Sequence, residues 1–155
     1  MKPTIIIGPQ KKKHQWRKDH RCFPVTISVG TKKITGDILF GKTGVNVFLG
    51  EFYSECPSCV KEFSRPLFKA VSRLKGKKKI KKDDFWVTFH VAKIPENAQP
   101  IHTRTDRWSE ECVAIEYTYW GTCPIHGKVK VVDHDVADYL TKLKMLLKQR
   151  RGGSR

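Results

Sequence analysis

Two short motifs constrain the fold of this 155-residue chain more than any other feature. Residues 56–59 read Cys-Pro-Ser-Cys, and residues 123–126 read Cys-Pro-Ile-His. In each motif two residues separate the outer side chains, so that a tight turn can aim both at one point. Thiolate and imidazole groups are ligands that zinc prefers, and four of them fill a tetrahedral structural site. The sequence therefore predicts one structural Zn²⁺ ion, held by Cys56, Cys59, Cys123 and His126.

The distance between the motifs makes this a prediction about tertiary structure. Residues 60–122 separate them, about 63 residues, whereas zinc modules usually place about 12–20 residues between half-sites. Each motif follows a strand-like segment ending in aromatic residues, and each has proline directly after its first cysteine. We therefore expect zinc-ribbon-like knuckles on adjacent hairpins, which a sheet brings together.

The fold class follows from hydrophobic periodicity. The clearest predicted strand is 85–91, where Phe85, Val87, Phe89 and Val91 share one face. A first helix is predicted after residue 59, with Ser64 as its N-cap, Pro66 in its first turn and Gly76 at its end. The other predicted strands are 22–29, 34–40, 45–52, 113–119 and 128–132, and a final helix begins at Asp133 or Asp135 and continues through Val136, Leu140, Leu143 and Leu147. The expected class is α+β, a largely antiparallel sheet of about five to seven strands with two helices.

The same patterns divide the chain into three parts. Residues 1–19 are predicted to be a basic flexible arm, 20–150 a single zinc-stabilised domain, and 151–155 a disordered tail. Residues 95–111 are polar and irregular, which predicts a long loop.

The net charge of the chain indicates the chemical class of its partner. The chain has 31 Lys and Arg against 15 Asp and Glu, a net charge of +16, which favours nucleic acid and, after it, an anionic membrane surface. No apolar run is long enough for a transmembrane helix or a signal peptide. We therefore expect a location in the nucleus or cytoplasm, without secretion, where cysteine pairs favour metal over disulfides.

The basic residues form clusters dominated by lysine. Lysine acts as a point charge, so we expect binding mainly through the phosphate backbone of RNA or DNA, with modest sequence preference. Trp86 and Trp120 are the better candidates for stacking on bases, because they lie opposite the apolar faces of their strands. The predicted nucleic-acid contacts are Lys11, Lys12, Lys13, Trp16, Arg17, Lys18, Lys32, Lys33, Lys77, Lys78, Lys79, Lys81, Lys82, Lys148, Arg150 and Arg151. The interpretation is a non-enzymatic regulatory or accessory factor, of the kind that viruses encode.

Two alternatives stay open. The first is a zinc-stabilised adaptor, with the final helix recruiting a cellular protein partner. The second is a metal-dependent nuclease, in which His102 or His134 and nearby carboxylates bind a divalent ion and activate water. A second metal site formed by His20, Cys22, Cys112 and His134 is a weaker hypothesis than two core-facing cysteines.

One phosphate-loop motif is discounted. Residues 36–43 match the Walker A pattern, but that loop requires a helix directly after it. Residues 44–50 are strand-like instead. We therefore expect no nucleotide cofactor, and a hairpin with Lys42 at its tip.

Overall fold

The computed structural model describes residues 2–11, 21–74, 80–107 and 112–138. Within these ranges the chain forms eight strands and one α-helix. They are β1 Thr4–Ile7, β2 Arg21–Val29, β3 Lys32–Phe40, β4 Val45–Leu49, α1 Pro57–Leu74, β5 Phe85–Phe89, β6 His102–Arg107, β7 Cys112–Cys123 and β8 Gly127–Asp138. The α+β class is as predicted. The strand number, the division into two sheets and the helix count of the described residues differ from the prediction.

The larger sheet has five strands in the order β1-β2-β3-β4-β5. Neighbouring strands are antiparallel except β4 and β5, which are parallel because α1 lies between them in the chain. Its inner face alternates as the sequence predicts, with Ile27, Ile38, Val47 and Phe89 all buried in one core. β1 lies within residues 1–19, which were predicted to be a basic flexible arm. Its pairing with β2 shows that residues 4–7 belong to the sheet.

Helix α1 begins about two turns earlier than predicted. Its first residue is Pro57, which suits this position because the first N–H groups of a helix have no acceptor within it. Ser64 is therefore not an N-cap: its hydroxyl donates a 2.6 Å hydrogen bond to the Val60 carbonyl within the helix. Pro66 likewise lies inside the helix rather than in its first turn. The predicted end at Gly76 lies outside the described residues.

The buried side of α1 repeats every four residues. Cys59, Phe63, Leu67 and Val71 form this line, and all four belong to the core of the five-stranded sheet. Cys59 is the first residue of this line, so the packing of the helix also sets the position of the Cys59 thiol.

The smaller sheet has the order β6-β7-β8 and is antiparallel throughout. β6 corrects the prediction of a loop over 95–111; its polar residues hide the strand period, and pairing with β7 imposes the strand. β8 corrects the predicted start of the final helix, because 133–138 pair with 112–117 of β7. The remainder of that helix and the predicted tail lie outside the described residues.

Backbone pairing joins the two sheets. Lys93 and Thr122 exchange two backbone hydrogen bonds of 2.9 Å, linking the segment after β5 to β7. Cys123, Val129 and Val131 consequently share a core with the five-stranded sheet and α1. The hairpin turn at the end of β7 is thereby held close to the start of α1.

The predicted hairpin at the Walker A match is confirmed. Residues 41–44 turn from β3 into β4, and the Gly41 N–H donates to the Gly44 carbonyl at 2.9 Å. A Cβ atom at Gly36 would overlap the Phe48 carbonyl oxygen, so this glycine permits close strand packing. The described residues include no helix long and apolar enough to span a bilayer.

Candidate metal centre

The four predicted ligands meet at one point. The ligand atoms of Cys56, Cys59, Cys123 and His126 all lie within 4.8 Å of one another. The sulfurs of Cys59 and Cys123 are 3.5 Å apart, and the Nδ1 atom of His126 lies 3.3–3.6 Å from the three sulfurs. This Cys3His cluster is consistent with one structural metal ion.

The two motifs reach the cluster through different local structures. Cys56 directly precedes α1 and Cys59 lies in its first turn, whereas Cys123 and His126 lie at the β7–β8 turn. The second motif is thus a hairpin knuckle, as expected for a ribbon-like site. The first is a helix start, which corrects the expectation of two hairpins. Backbone N–H groups at a helix N-terminus favour negative charge, and here the Cys59 N–H favours the thiolate of Cys56, although burial opposes it.

The imidazole of His126 has a defined orientation. Its Nδ1 atom faces the sulfurs, and its Nε2 atom lies 2.7 Å from the Glu62 carboxylate. An Nε2–H that donates to Glu62 leaves the Nδ1 lone pair free to bind a cation, an arrangement typical of metal-bound histidines. Glu62 was not predicted from the sequence. Its position three residues after Cys59 could have indicated it, because residues at this spacing lie on one side of a helix.

The charges in the cluster favour a cation. The Cys59 thiol donates a hydrogen bond to the Cys123 sulfur, which lowers the pKa of Cys123 to about 4, with backbone N–H groups of the turn contributing. The same contact raises the pKa of Cys59, because a second thiolate beside the first is unfavourable. Burial raises the pKa of Cys56. A divalent cation in place of the protons would stabilise all three thiolates together.

The balance at His126 is different. Burial is the largest single effect and lowers the pKa of this imidazole, but the hydrogen bonds and charges of Glu62 and Cys123 together raise it. The ring also packs on Phe63, with ring centroids 5.6 Å apart. His126 is therefore positioned by one carboxylate, one aromatic ring and the hairpin turn.

The predicted nucleic-acid contacts that lie within the described residues do not form a single cluster. Lys32–Lys33 begin β3, whereas Lys81–Lys82 precede β5 at the opposite end of the same sheet, beside the β3–β4 turn and Lys42. Lys11 forms a 2.6 Å ion pair with Asp37, which raises the pKa of Lys11. The residues that lie outside the described ranges are Lys12, Lys13, Trp16, Arg17, Lys18, Lys77, Lys78, Lys79, Lys148, Arg150 and Arg151.

The other candidate metal ligands remain apart from the Cys3His cluster. Cys22 is buried in β2 beside Leu39, on the sheet face opposite Ile27, and Cys112 is half-buried at the start of β7, so the expectation of two core-facing cysteines is not confirmed. His134 lies 3.4 Å from Glu116, and Arg104 pairs with Asp106 at 3.1 Å. Among residues 2–11, 21–74, 80–107 and 112–138, the Cys3His cluster is the one group with metal-compatible geometry. His20 lies outside these ranges.

No protein-family model, curated protein or solved structure matches the chain. The chain is an α+β protein with a Cys3His cluster, its three cysteines buried, that joins a helix start to a hairpin turn.

Proposed function

We propose that the chain is a zinc-stabilised protein that binds nucleic acid mainly through the phosphate backbone. The observation that carries the proposal is the convergence of the Cys3His cluster in a chain of net charge +16. The zinc ion holds the start of α1 against the β7–β8 turn, and the exposed lysines supply the contacts with phosphate.

Distances support zinc as the ion. With Zn–S near 2.3 Å and Zn–N near 2.05 Å, a tetrahedral site has S–S edges of about 3.8 Å and S–N edges of about 3.6 Å. The Cys59–Cys123 and sulfur–Nδ1 distances, 3.5 Å and 3.3–3.6 Å, lie close to these values. Three thiolates and one imidazole are also ligands of the softness that zinc accepts.

The cluster supports a structural role for the ion. Four protein ligands complete a tetrahedron and leave no position for water, so the ion would not activate a nucleophile. The three thiols are fully buried. We therefore assign the zinc ion to folding, and the function to binding without catalysis.

Exposed cations support the nucleic-acid partner. Lys32, Lys33, Lys81 and Lys82 are exposed, and contacts of lysine with phosphate release counterions and give salt-sensitive affinity. Such a protein would act as a regulatory or accessory factor in the nucleus or cytoplasm, with RNA or DNA as its ligand.

The test uses the purified, nuclease-treated full chain. Elemental analysis should give one zinc ion per chain, and anisotropy of labelled RNA and DNA should show binding that weakens steeply as salt rises. If protein stripped of zinc by a chelator has the same melting temperature as the protein as purified, the zinc site is wrong. Affinity for nucleic acid no higher than for heparin would contradict the nucleic-acid function and favour the adaptor alternative, while shortened probes would favour the nuclease.

A further inference from the structure

The outer face of the β7–β8 hairpin carries an exposed tryptophan beside two lysines. Trp120 pairs with Lys130 across the hairpin, and Thr122 pairs with Lys128. Trp120 is 41% exposed, and the ammonium groups of Lys128 and Lys130 lie 4.5 and 5.3 Å from a centroid of its ring system. Paired residues and residues two apart on a strand share one face of a sheet, so these side chains form one surface.

A third lysine extends this surface. Lys93 pairs with Thr122 through two backbone hydrogen bonds, so its side chain lies on the same face as those of Thr122 and Lys128. The Lys93 ammonium also lies 6.0 Å from the centroid of the Phe52 ring. The Trp120 platform is the surface formed by Phe52, Lys93, Trp120, Lys128 and Lys130.

The core of the protein does not require the platform. The alternate residues are buried on the opposite face of the hairpin: Cys123, Val129 and Val131 pack in the core, and Gly121 is buried beside Val131. In the described part of the chain, none of the three platform lysines forms an ion pair with a carboxylate. Three positive charges that no described carboxylate neutralises favour a polyanion at this surface.

We propose that the Trp120 platform binds single-stranded nucleic acid, with an unpaired base stacked on Trp120 and adjacent phosphates bound by Lys93, Lys128 and Lys130. Aromatic rings that alternate with lysines match a single strand, in which base faces alternate with phosphates. A duplex hides its base faces within the stack. This inference rests on the proposed nucleic-acid function and adds the place of binding and the form of the ligand.

The test of stacking compares oligo-dT, oligo-U and a duplex of matched length by anisotropy. Trp120→Ala should weaken binding of both single strands by about 5- to 150-fold, the effect of one lost base–aromatic contact, and leave duplex affinity and the salt slope unchanged. Trp120→Phe should retain most of the affinity. The matched control is Trp86→Ala, since Trp86 is 51% exposed on the other sheet. The ranking of oligo-U against oligo-dT separates RNA from DNA as the ligand.

The test of the lysines uses the salt dependence of binding. The double variant Lys128→Gln with Lys130→Gln should reduce the slope of log K against log salt by about 1.4 for single strands, since each phosphate contact contributes about 0.7. The control double variant, Lys61→Gln with Lys69→Gln on α1, removes the same charge from an exposed helix face and should leave the slope nearly unchanged.

The outcomes separate this inference from the proposed function. If the unmodified protein binds no probe, both fail. If it binds single strands and Trp120→Ala binds them equally well, or if Trp86→Ala alone weakens binding, the platform assignment is wrong and the proposed function stands. An equal loss for duplex and single strands would also exclude base stacking. Melting curves and zinc content show whether each variant is folded. If Trp120→Ala unfolds, Trp120→Phe and the lysine variants test whether the Trp120 platform is the binding surface.

Discussion

Glu62 on α1 accepts a 2.7 Å hydrogen bond from the Nε2 atom of His126, which lies at the β7–β8 turn. This contact joins the two halves of the Cys3His cluster through a residue that is not itself a ligand. It also fixes which imidazole nitrogen faces the three sulfurs. The first prediction follows from this relationship.

Replacing Glu62 should weaken zinc binding without removing it. Glu62→Gln keeps the shape of the side chain but loses the charge that orients and polarises the imidazole, so we expect zinc affinity to fall by about 10- to 100-fold. Competition with a chromogenic chelator measures the change. Glu96→Gln removes an exposed carboxylate from a loop and should leave affinity unchanged; equal affinities in the two variants would contradict the role of Glu62.

Replacing a ligand should remove the ion and part of the fold. Cys123→Ser should lower zinc content from one ion per chain to nearly none and shift thermal melting downward, because binding of the metal and folding are coupled. Cys22→Ala is the control: it removes another buried cysteine and should retain one zinc ion per chain even if the protein is less stable. Equal zinc contents would rule out Cys123 as a ligand.

Phe63 is expected to be the position of α1 at which substitution lowers stability most. Its ring lies between the core and the cluster, with centroids 6.5 Å from Phe89 and 5.6 Å from His126. Phe63→Ala should lower the free energy of unfolding by about 3–5 kcal/mol, measured by urea denaturation of the zinc-loaded protein. Tyr53→Ala removes a ring that is 95% exposed and should change stability by less than about 0.5 kcal/mol. Similar losses in both variants would contradict the packing described.

Removal of the metal should change which cysteine thiols react with an alkylating agent. In zinc-loaded protein the half-buried Cys112 should be alkylated first, and Cys22 should react slowly at neutral pH because burial is the main cause that raises the pKa of its thiol. Since a raised pKa leaves less thiolate, the reaction of Cys22 should accelerate as the pH rises above 9. A chelator should then expose Cys56, Cys59 and Cys123. Mass spectrometry follows each site, and an unchanged pattern after chelation would contradict zinc protection.

The predictable part of the site was the set of four residues that converge in the Cys3His cluster. Spacing within each cysteine motif is local, and metal chemistry restricts which residue types can serve, so these four residues followed from two short segments. Glu62 was harder to predict, because its role depends on where His126 lies in space. The helix start was predicted too late in the chain, because serine and proline at 64 and 66 are residue types typical of a helix N-terminus. In the structure Cys59 packs in the core, and the residues between Pro57 and Ser64 are helical as well.

The sequence by itself determined the α+β class, most strands of the two sheets and the residues of the cluster, since these depend on periodicity and local spacing. Only the tertiary structure decided that β6 and the end of β8 are strands, because their pairing with β7 overrides weak local preferences. It also decided that Lys93, Trp120 and Lys130 share a surface. Sequence distance hides such groupings, because strand register, rather than order along the chain, sets which side chains become neighbours.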